Sequence, residues 1–253
     1  MKVLGIIPAR YGSSRLEGKP LKDIEGKSMI QRVYERCTIA LDEVFIATDD
    51  KRIKEHVNSF GAKVVMTSKE HKTGTNRCLE AMEIIMNEEG LDPDVIINIQ
   101  GDEPLLQPDQ LKKLVACFEE DKNVDLASLA MPAGENAKLE EHNGCFVVLD
   151  ENKDALYFSR SIIPYLRDFP KEEWAKNHQY LYHIGMYAYK PEALKLFANL
   201  PQNNLEISES LEQLRWLQAG KKIRIRLSTH ETIAVDTQED LEKVRAIVRK
   251  LES

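Results

Sequence analysis

The chain has 253 residues, 42% of them hydrophobic and 30% charged, with a formal net charge of -7. That length suits one α/β core with an appended lobe, and the acidic balance excludes a global basic field for nucleic acid or anionic membrane, so an anionic ligand needs a local cluster of cations. No apolar run approaches the ~20 residues of a bilayer span, and the N-terminus lacks the apolar stretch and small-residue cleavage site of a signal peptide, so the cytoplasm is the expected location.

Val3-Leu4-Gly5-Ile6-Ile7 reads as a strand buried on both faces. A helix begins at Ser28, with Gln31 placed for a capping box and Ile30, Val33, Tyr34 and Cys37 as its apolar stripe. Val44–Ala47 is a second strand, Asp49 to Phe60 a helix closed by Gly61, and Val64–Met66 a third strand. A helix from about Thr75 to Glu89 leads to the strand Val95–Ile99, and Pro108 opens the next helix at its favoured first turn. This alternation predicts a mostly parallel sheet flanked by helices, a Rossmann-like α/β fold. From about 125 to 190 the pattern changes to a smaller α+β lobe. Asp125–Met131, Cys145–Leu149 and Leu156–Ser159 are strands without room for long helices between them, and Asp150–Lys153 is a hairpin turn. After an irregular stretch of about 160–180 come the strand Tyr182–Tyr189, two helices, the strand Ile223–Ile225 and a last helix from about Thr237. The lobe is expected to be inserted into a single domain. Cys37, Cys78, Cys117 and Cys145 form no C-x-x-C pair and read as buried, inert thiols. His230-Glu231 has Ala234 where a zinc helix would carry its second histidine.

In an open parallel sheet ligands bind beyond the carboxyl ends of the strands. The loop after the first strand runs from Pro8 through Arg10, Arg15 and Lys19 to Pro20, and the loop after the fourth is Gln100-Gly101-Asp102-Glu103-Pro104. A cationic Gly/Ser loop beside a carboxylate is what phosphoryl or nucleotidyl transfer requires. The first loop is no Walker A motif: five residues separate Gly12 from Gly18, and Pro20 replaces the magnesium-binding hydroxyl. Nor does a G-x-G-x-x-G follow the strand. Val235-Asp236-Thr237 supplies a second carboxylate where the last helix begins, although Asp236 would also serve as a helix cap.

The segments Ile6–Leu16 and Gly18-Lys19-Pro20 resemble the nucleotide loop of the CMP-sugar synthetases. Thr73–Arg77, Asn98–Pro104, Ala155–Pro164, Leu211–Arg215 and Val235-Asp236-Thr237 extend the resemblance to the 3-deoxy-manno-octulosonate (Kdo) cytidylyltransferases. The resemblance implies a homodimer that uses CTP and Kdo, with Mg²⁺ held by Asp102 and Asp236 and with Lys19 joining them as a catalytic residue. It implies a nucleotide site from Pro8, Ala9, Arg10, Ser14, Arg15, Lys19 and Thr75, and a sugar site from Arg77, Gln100, Arg160, His183, Tyr187, Glu212 and Gln213. The sequence departs from the family pattern at Glu17, where proline is usual, at Asn76, where an acid is usual, and at Gly144-Cys145-Phe146, where Val-Lys is common. The 8-amino form of Kdo, another acid sugar, or a non-catalytic nucleotide-binding role are the alternatives.

Overall fold

The computed structural model describes residues 1–12, 15–142, 144–230 and 232–252. The chain divides into two compact units, one of Met1–Val115 with Thr232–Ser253 and the other of Ala116–Glu231.

The first unit opens with β1 (Val3–Ala9), the small hairpin β2 (Asp23–Ile24) and β3 (Lys27–Ser28), and α1 (Met29–Thr38). Then follow β4 (Glu43–Thr48), α2 (Lys51–Ser59), β5 (Lys63–Met66), α3 (Gly74–Glu88), β6 (Val95–Asn98) and α4 (Pro108–Glu120). Strand β1 pairs in parallel with β6 on one side and β4 on the other, and β4 pairs in parallel with β5. This is the predicted parallel sheet, and its central strands are the continuous apolar runs expected of strands covered on both faces: Leu4, Ile6, Ile7, Ile46, Ile96 and Ile97 are almost wholly buried. The helices start where side chains satisfy their orphan amides. Ser28 accepts from the Gln31 amide, Asp50 from Arg52 and Thr73 from Asn76. The reciprocal half of the box expected at Ser28 is replaced by a bond from the Gln31 side chain to Glu35. Gly61, with φ of 76°, closes the turn after α2.

The second unit holds β7 (Leu126–Pro132), β8 (Phe146–Leu149), β9 (Ala155–Ser159), α5 (Trp174–Asn177), β10 (Leu181–Tyr189), α6 (Pro191–Asn199), α7 (Asn204–Glu209), α8 (Gln213–Gln218) and β11 (Arg224–Leu227). Strand β10 runs antiparallel to β7, with a bulge between Ile184 and Tyr187, and β11 runs parallel to β7. The hairpin β8–β9 turns at Asp150–Lys153, where the Asp150 carboxylate accepts from the Asn152 and Asp154 amides. The segment of about 125–190 lies inside this unit, which also takes in α6, α7, α8 and β11. Three helices, not two, separate β10 from β11: Asn203 caps an extra turn, and Ser210 in the left-handed region ends it. The Arg215 guanidinium grips both oxygens of buried Glu206 and ties α8 to α7.

Helix α9 (Gln238–Leu251) returns to the first unit. Its Leu241, Val244 and Val248 bury a stripe against Leu16, Ile24, Met29 and Val235. All four cysteines are free and buried, as expected.

Candidate active site

Strands β1 and β6 lie side by side in the same direction, so their carboxyl ends deliver two loops to one edge of the first unit. The Ile99 amide donates to the Ile6 carbonyl and extends the pairing to the brink of the second loop. Gly101 then passes so close to β1 that a Cβ there would lie 2.9 Å from the Pro8 carbonyl oxygen. A third segment is drawn in by the Val235 amide, which donates to the Asp102 carbonyl at 2.9 Å. Two apolar anchors complete the frame, because Leu16 and Val235 are buried in the same cluster and each lies next in sequence to a charged residue of the site.

These segments enclose a cleft of about 310 Å³ lined by Pro8, Ala9, Arg10, Arg15, Lys19, Pro20, Gln100, Gly101, Asp102 and Asp236. At its centre the Lys19 ammonium donates to Asp102 Oδ2 at 2.6 Å and to Asp236 Oδ1 at 3.1 Å, while Arg15 Nη2 approaches the same Asp236 oxygen at 3.1 Å. Two carboxylates from distant parts of the chain thus converge on one cation. Asp236 is free for this because it does not cap α9. Thr237 does, accepting from the Asp240 amide, while the Asp240 carboxylate accepts in return from Thr237. The question left open by the sequence at Asp236 is therefore answered by its neighbour.

Glu103, next to Asp102, is buried with one oxygen unpartnered among the described residues. Burial, and secondarily the Asp102 charge, pushes its carboxyl up to about 8, against the pull of a hydrogen bond with Thr232. The α3 N-terminus approaches the same edge, where a Cβ at Gly74 would lie 3.9 Å from the Pro8 ring; Thr75 is buried in its first turn. Arg77 is buried one residue pair further along. Its Nη1 donates to Thr67 Oγ1 at 2.6 Å and to the Ser68 carbonyl, and its Nη2 to Asp49 at 3.2 Å. Ser14 lies outside the described residues.

The second unit gathers another polar group. His183 on β10 contacts Ser128 Oγ through Nε2 at 2.9 Å and Cys145 Sγ through Nδ1 at 3.4 Å, and Gln213 donates to the same sulfur. Ser128 donates to backbone carbonyls of β10, so its oxygen accepts from Nε2–H, and Nδ1 accepts from the thiol. Burial enforces that neutral chain: it lowers the His183 pKa and raises the Cys145 thiol to about 12. Tyr187 stays beside His183, ring centroids 5.5 Å apart, despite the intervening bulge. Gln213 is buried at the start of α8, and Glu212 precedes it. Arg160 is exposed, with Nε on the Glu209 carbonyl.

The cytidylyltransferase family model matches residues 4–223. The 3-deoxy-manno-octulosonate cytidylyltransferase of Bacteroides thetaiotaomicron is 52% identical over 252 residues, covering 98% of this chain and 99% of the relative. The chain belongs to this family. An 8-amino-3,8-dideoxy-manno-octulosonate cytidylyltransferase from Shewanella pealeana is 46% identical over 245 residues, 95% of this chain and 96% of its own. Among solved structures, a CMP:2-keto-3-deoxy-manno-octonic acid synthetase complexed with CTP superposes with a TM-score of 0.89 at 42% identity, covering 99% of this chain and all of that one.

Family membership makes the chain a nucleotidyltransferase, and Arg10, Arg15, Lys19, Asp102 and Asp236 line one cleft. Sequence reasoning missed Gly101 and Pro20 as lining residues and Ser128 and Cys145 as partners of His183. The two glycine and proline positions sat inside quoted motifs, whereas Ser128 and Cys145 meet His183 only through strand pairing.

Proposed function

We propose that this cytidylyltransferase transfers CMP from CTP to Kdo and releases pyrophosphate, with Asp102 and Asp236 holding Mg²⁺ in the first-unit cleft. The observation that carries the reading is the convergence of these two carboxylates on the Lys19 ammonium, beside Arg10 and Arg15. A cation already sits between them, and two hard oxygen donors suit an ion that completes its shell with water and substrate phosphates. Among the described residues no group of three or more His, Cys, Asp or Glu is arranged to hold a metal ion, and the reading assigns the protein's share of the shell to these two carboxylates. A bound Mg²⁺ supplies Lewis-acid polarisation of the α-phosphoryl oxygen.

The chain's own residues orient and neutralise. Arg15 and Lys19 take up charge that develops on the leaving pyrophosphate as the anomeric hydroxyl of Kdo forms its bond to the α-phosphorus. Lys19 exchanges carboxylate partners for phosphate oxygens when the nucleotide enters. Gln100, which lines the cleft, is assigned to the sugar together with Arg77, Arg160, His183, Tyr187, Glu212 and Gln213. CTP places the reaction in the cytoplasm. The reading includes a homodimer, for which the exposed apolar Leu156, Tyr165 and Phe169 of the second unit are candidate contacts.

The test measures pyrophosphate release with each of the four nucleoside triphosphates against Kdo, 8-amino-Kdo and sialic acid. CTP with Kdo is the expected pair. A pocket shaped for a pyrimidine excludes purines by volume, so equal use of ATP would refute the assignment, and a preference for 8-amino-Kdo would move the chain to that substrate.

A further inference from the structure

We propose that Arg52, outside every motif of the nucleotide loop, is a positioning residue that pins this loop so that Lys19 is presented to Asp102 and Asp236. The inference rests on reading that loop as the CTP site. Arg52 stands in the first turn of α2, and its guanidinium is held flat by Asp50, with Nε on Oδ1 at 2.9 Å and Nη2 on Oδ2 at 2.7 Å. Held this way it stacks on Tyr11, its central carbon 3.3 Å from the ring centroid. The Tyr11 ring in turn lies against Gly18, where a Cβ would meet two ring atoms and the phenolic oxygen at 3.1–3.2 Å. The Gly18 amide donates to the Tyr11 carbonyl at 3.1 Å and closes the loop on itself. Lys19 follows immediately. Asp50, Arg52, Tyr11 and Gly18 therefore form a continuous stack from the start of α2 to the lysine at the centre of the cleft.

Charge strengthens the stack. Asp50 foremost, and beyond it Glu17, favour the charged form of Arg52. Gly18, with φ of 65° and ψ of 24°, stands in the left-handed region, and a proline at position 17 would fix φ immediately before it. In this chain the loop gains through Arg52 an external restraint that a proline would provide internally. Lysine at position 52 would keep the charge but lose the planar fork that Asp50 holds against the ring.

The test compares CTP dissociation constants by titration calorimetry, with KM for Kdo and melting temperature alongside. Arg52→Ala is expected to raise the CTP constant about 2- to 5-fold, the worth of an exposed cation–π contact, because a smaller fraction of loops is binding-competent. KM for Kdo and the melting temperature stay at wild-type values, which separates positioning from general stabilisation. Arg52→Lys should fall between the two. Glu17→Pro added to Arg52→Ala should recover most of the loss by removing alternative loop conformations. An unchanged CTP constant in Arg52→Ala overturns the inference. So does a loss that Glu17→Pro leaves uncorrected, since that would assign Arg52 a direct contact with the nucleotide. Arg15→Ala is the control for the underlying reading. If it too leaves CTP binding unchanged, the nucleotide site is misplaced; if it alone weakens binding, only the role of Arg52 falls.

Discussion

Asp236 and Thr237 are adjacent, yet the structure gives them separate tasks, and substituting each in turn should separate catalysis from stability. Asp236→Asn keeps the shape and removes the charge that faces Lys19 and Arg15. Because the side chain is 38% exposed and leaves the α9 cap untouched, stability should stay within about 0.5 kcal/mol of wild type. The catalytic effect should be far larger. One of two carboxylates around a divalent cation contributes several kcal/mol in the transition state, and at about 1.4 kcal/mol per tenfold a conservative 2.7 kcal/mol gives roughly 100-fold in kcat. Thr237→Ala should show the converse. Loss of a cap costs about 1 kcal/mol, or a fall of about 2–4 °C in melting temperature for a chain of this size, with the Mg²⁺ dependence unchanged. The assay is pyrophosphate release across a Mg²⁺ titration, paired with thermal melts of the same preparations. Near-normal turnover in Asp236→Asn would refute the metal assignment, and a melting loss like that of Thr237→Ala would show that Asp236 supports the helix after all.

Gly101→Ala should lower kcat/KM at least about 10-fold, because its Cβ would meet the Pro8 carbonyl at 2.9 Å and the backbone carrying Asp102 must shift; unchanged kinetics would mean the two loops can part freely. Arg77→Met should destabilise the chain by about 3 kcal/mol in denaturant unfolding, since it strands the Asp49 carboxylate that pairs with a buried guanidinium. The sugar assignment adds a rise in KM for Kdo to that loss, and an unchanged KM would leave Arg77 a purely structural residue. His183 has its folded pKa depressed by burial, so below about pH 6.5 the unfolded chain binds a proton that the folded one refuses. Stability should therefore fall as pH drops below that value, and His183→Gln should flatten the slope; identical slopes in acid-side urea titrations would show that the imidazole titrates freely in the fold.

What was legible in the sequence follows from how local each cause is. The parallel core was readable because Leu4, Ile6, Ile7 and the run Val95–Ile97 are uninterrupted apolar segments, and covering a strand on both faces leaves that mark in composition. The start of the first helix was readable at Ser28 because a cap acts over three residues, whereas the cap at Thr73 was not picked out. The cleft was readable for a related reason: its cations and carboxylates lie in the loops that leave two buried strands or just before a helix, and topology sends such loops to one edge. Where a role depended on a single neighbour the reading was blunter, and Asp236 stayed ambiguous until Thr237 was seen to take the cap.

The unreadable part is made of contacts between residues far apart in sequence with no periodic signature. Arg77 could be chosen as a sugar ligand because its motif offers a cation, but nothing local shows that Asp49, Thr67 and Ser68 already occupy its guanidinium. The Cys145–His183–Ser128 chain needs two separate strand pairings, of β10 with β7 and with β8, before its members meet. Arg52 is the sharpest case. In sequence it is one charge on a polar helix face, and a solvated arginine is the default for such a position. Its contact with Tyr11 exists because α2 begins where β4 ends, beside the partner strand β1 that launches the nucleotide loop. The same parallel pairing that made the cleft predictable therefore also places its support, but only a structure shows which side chain on that helix takes the position.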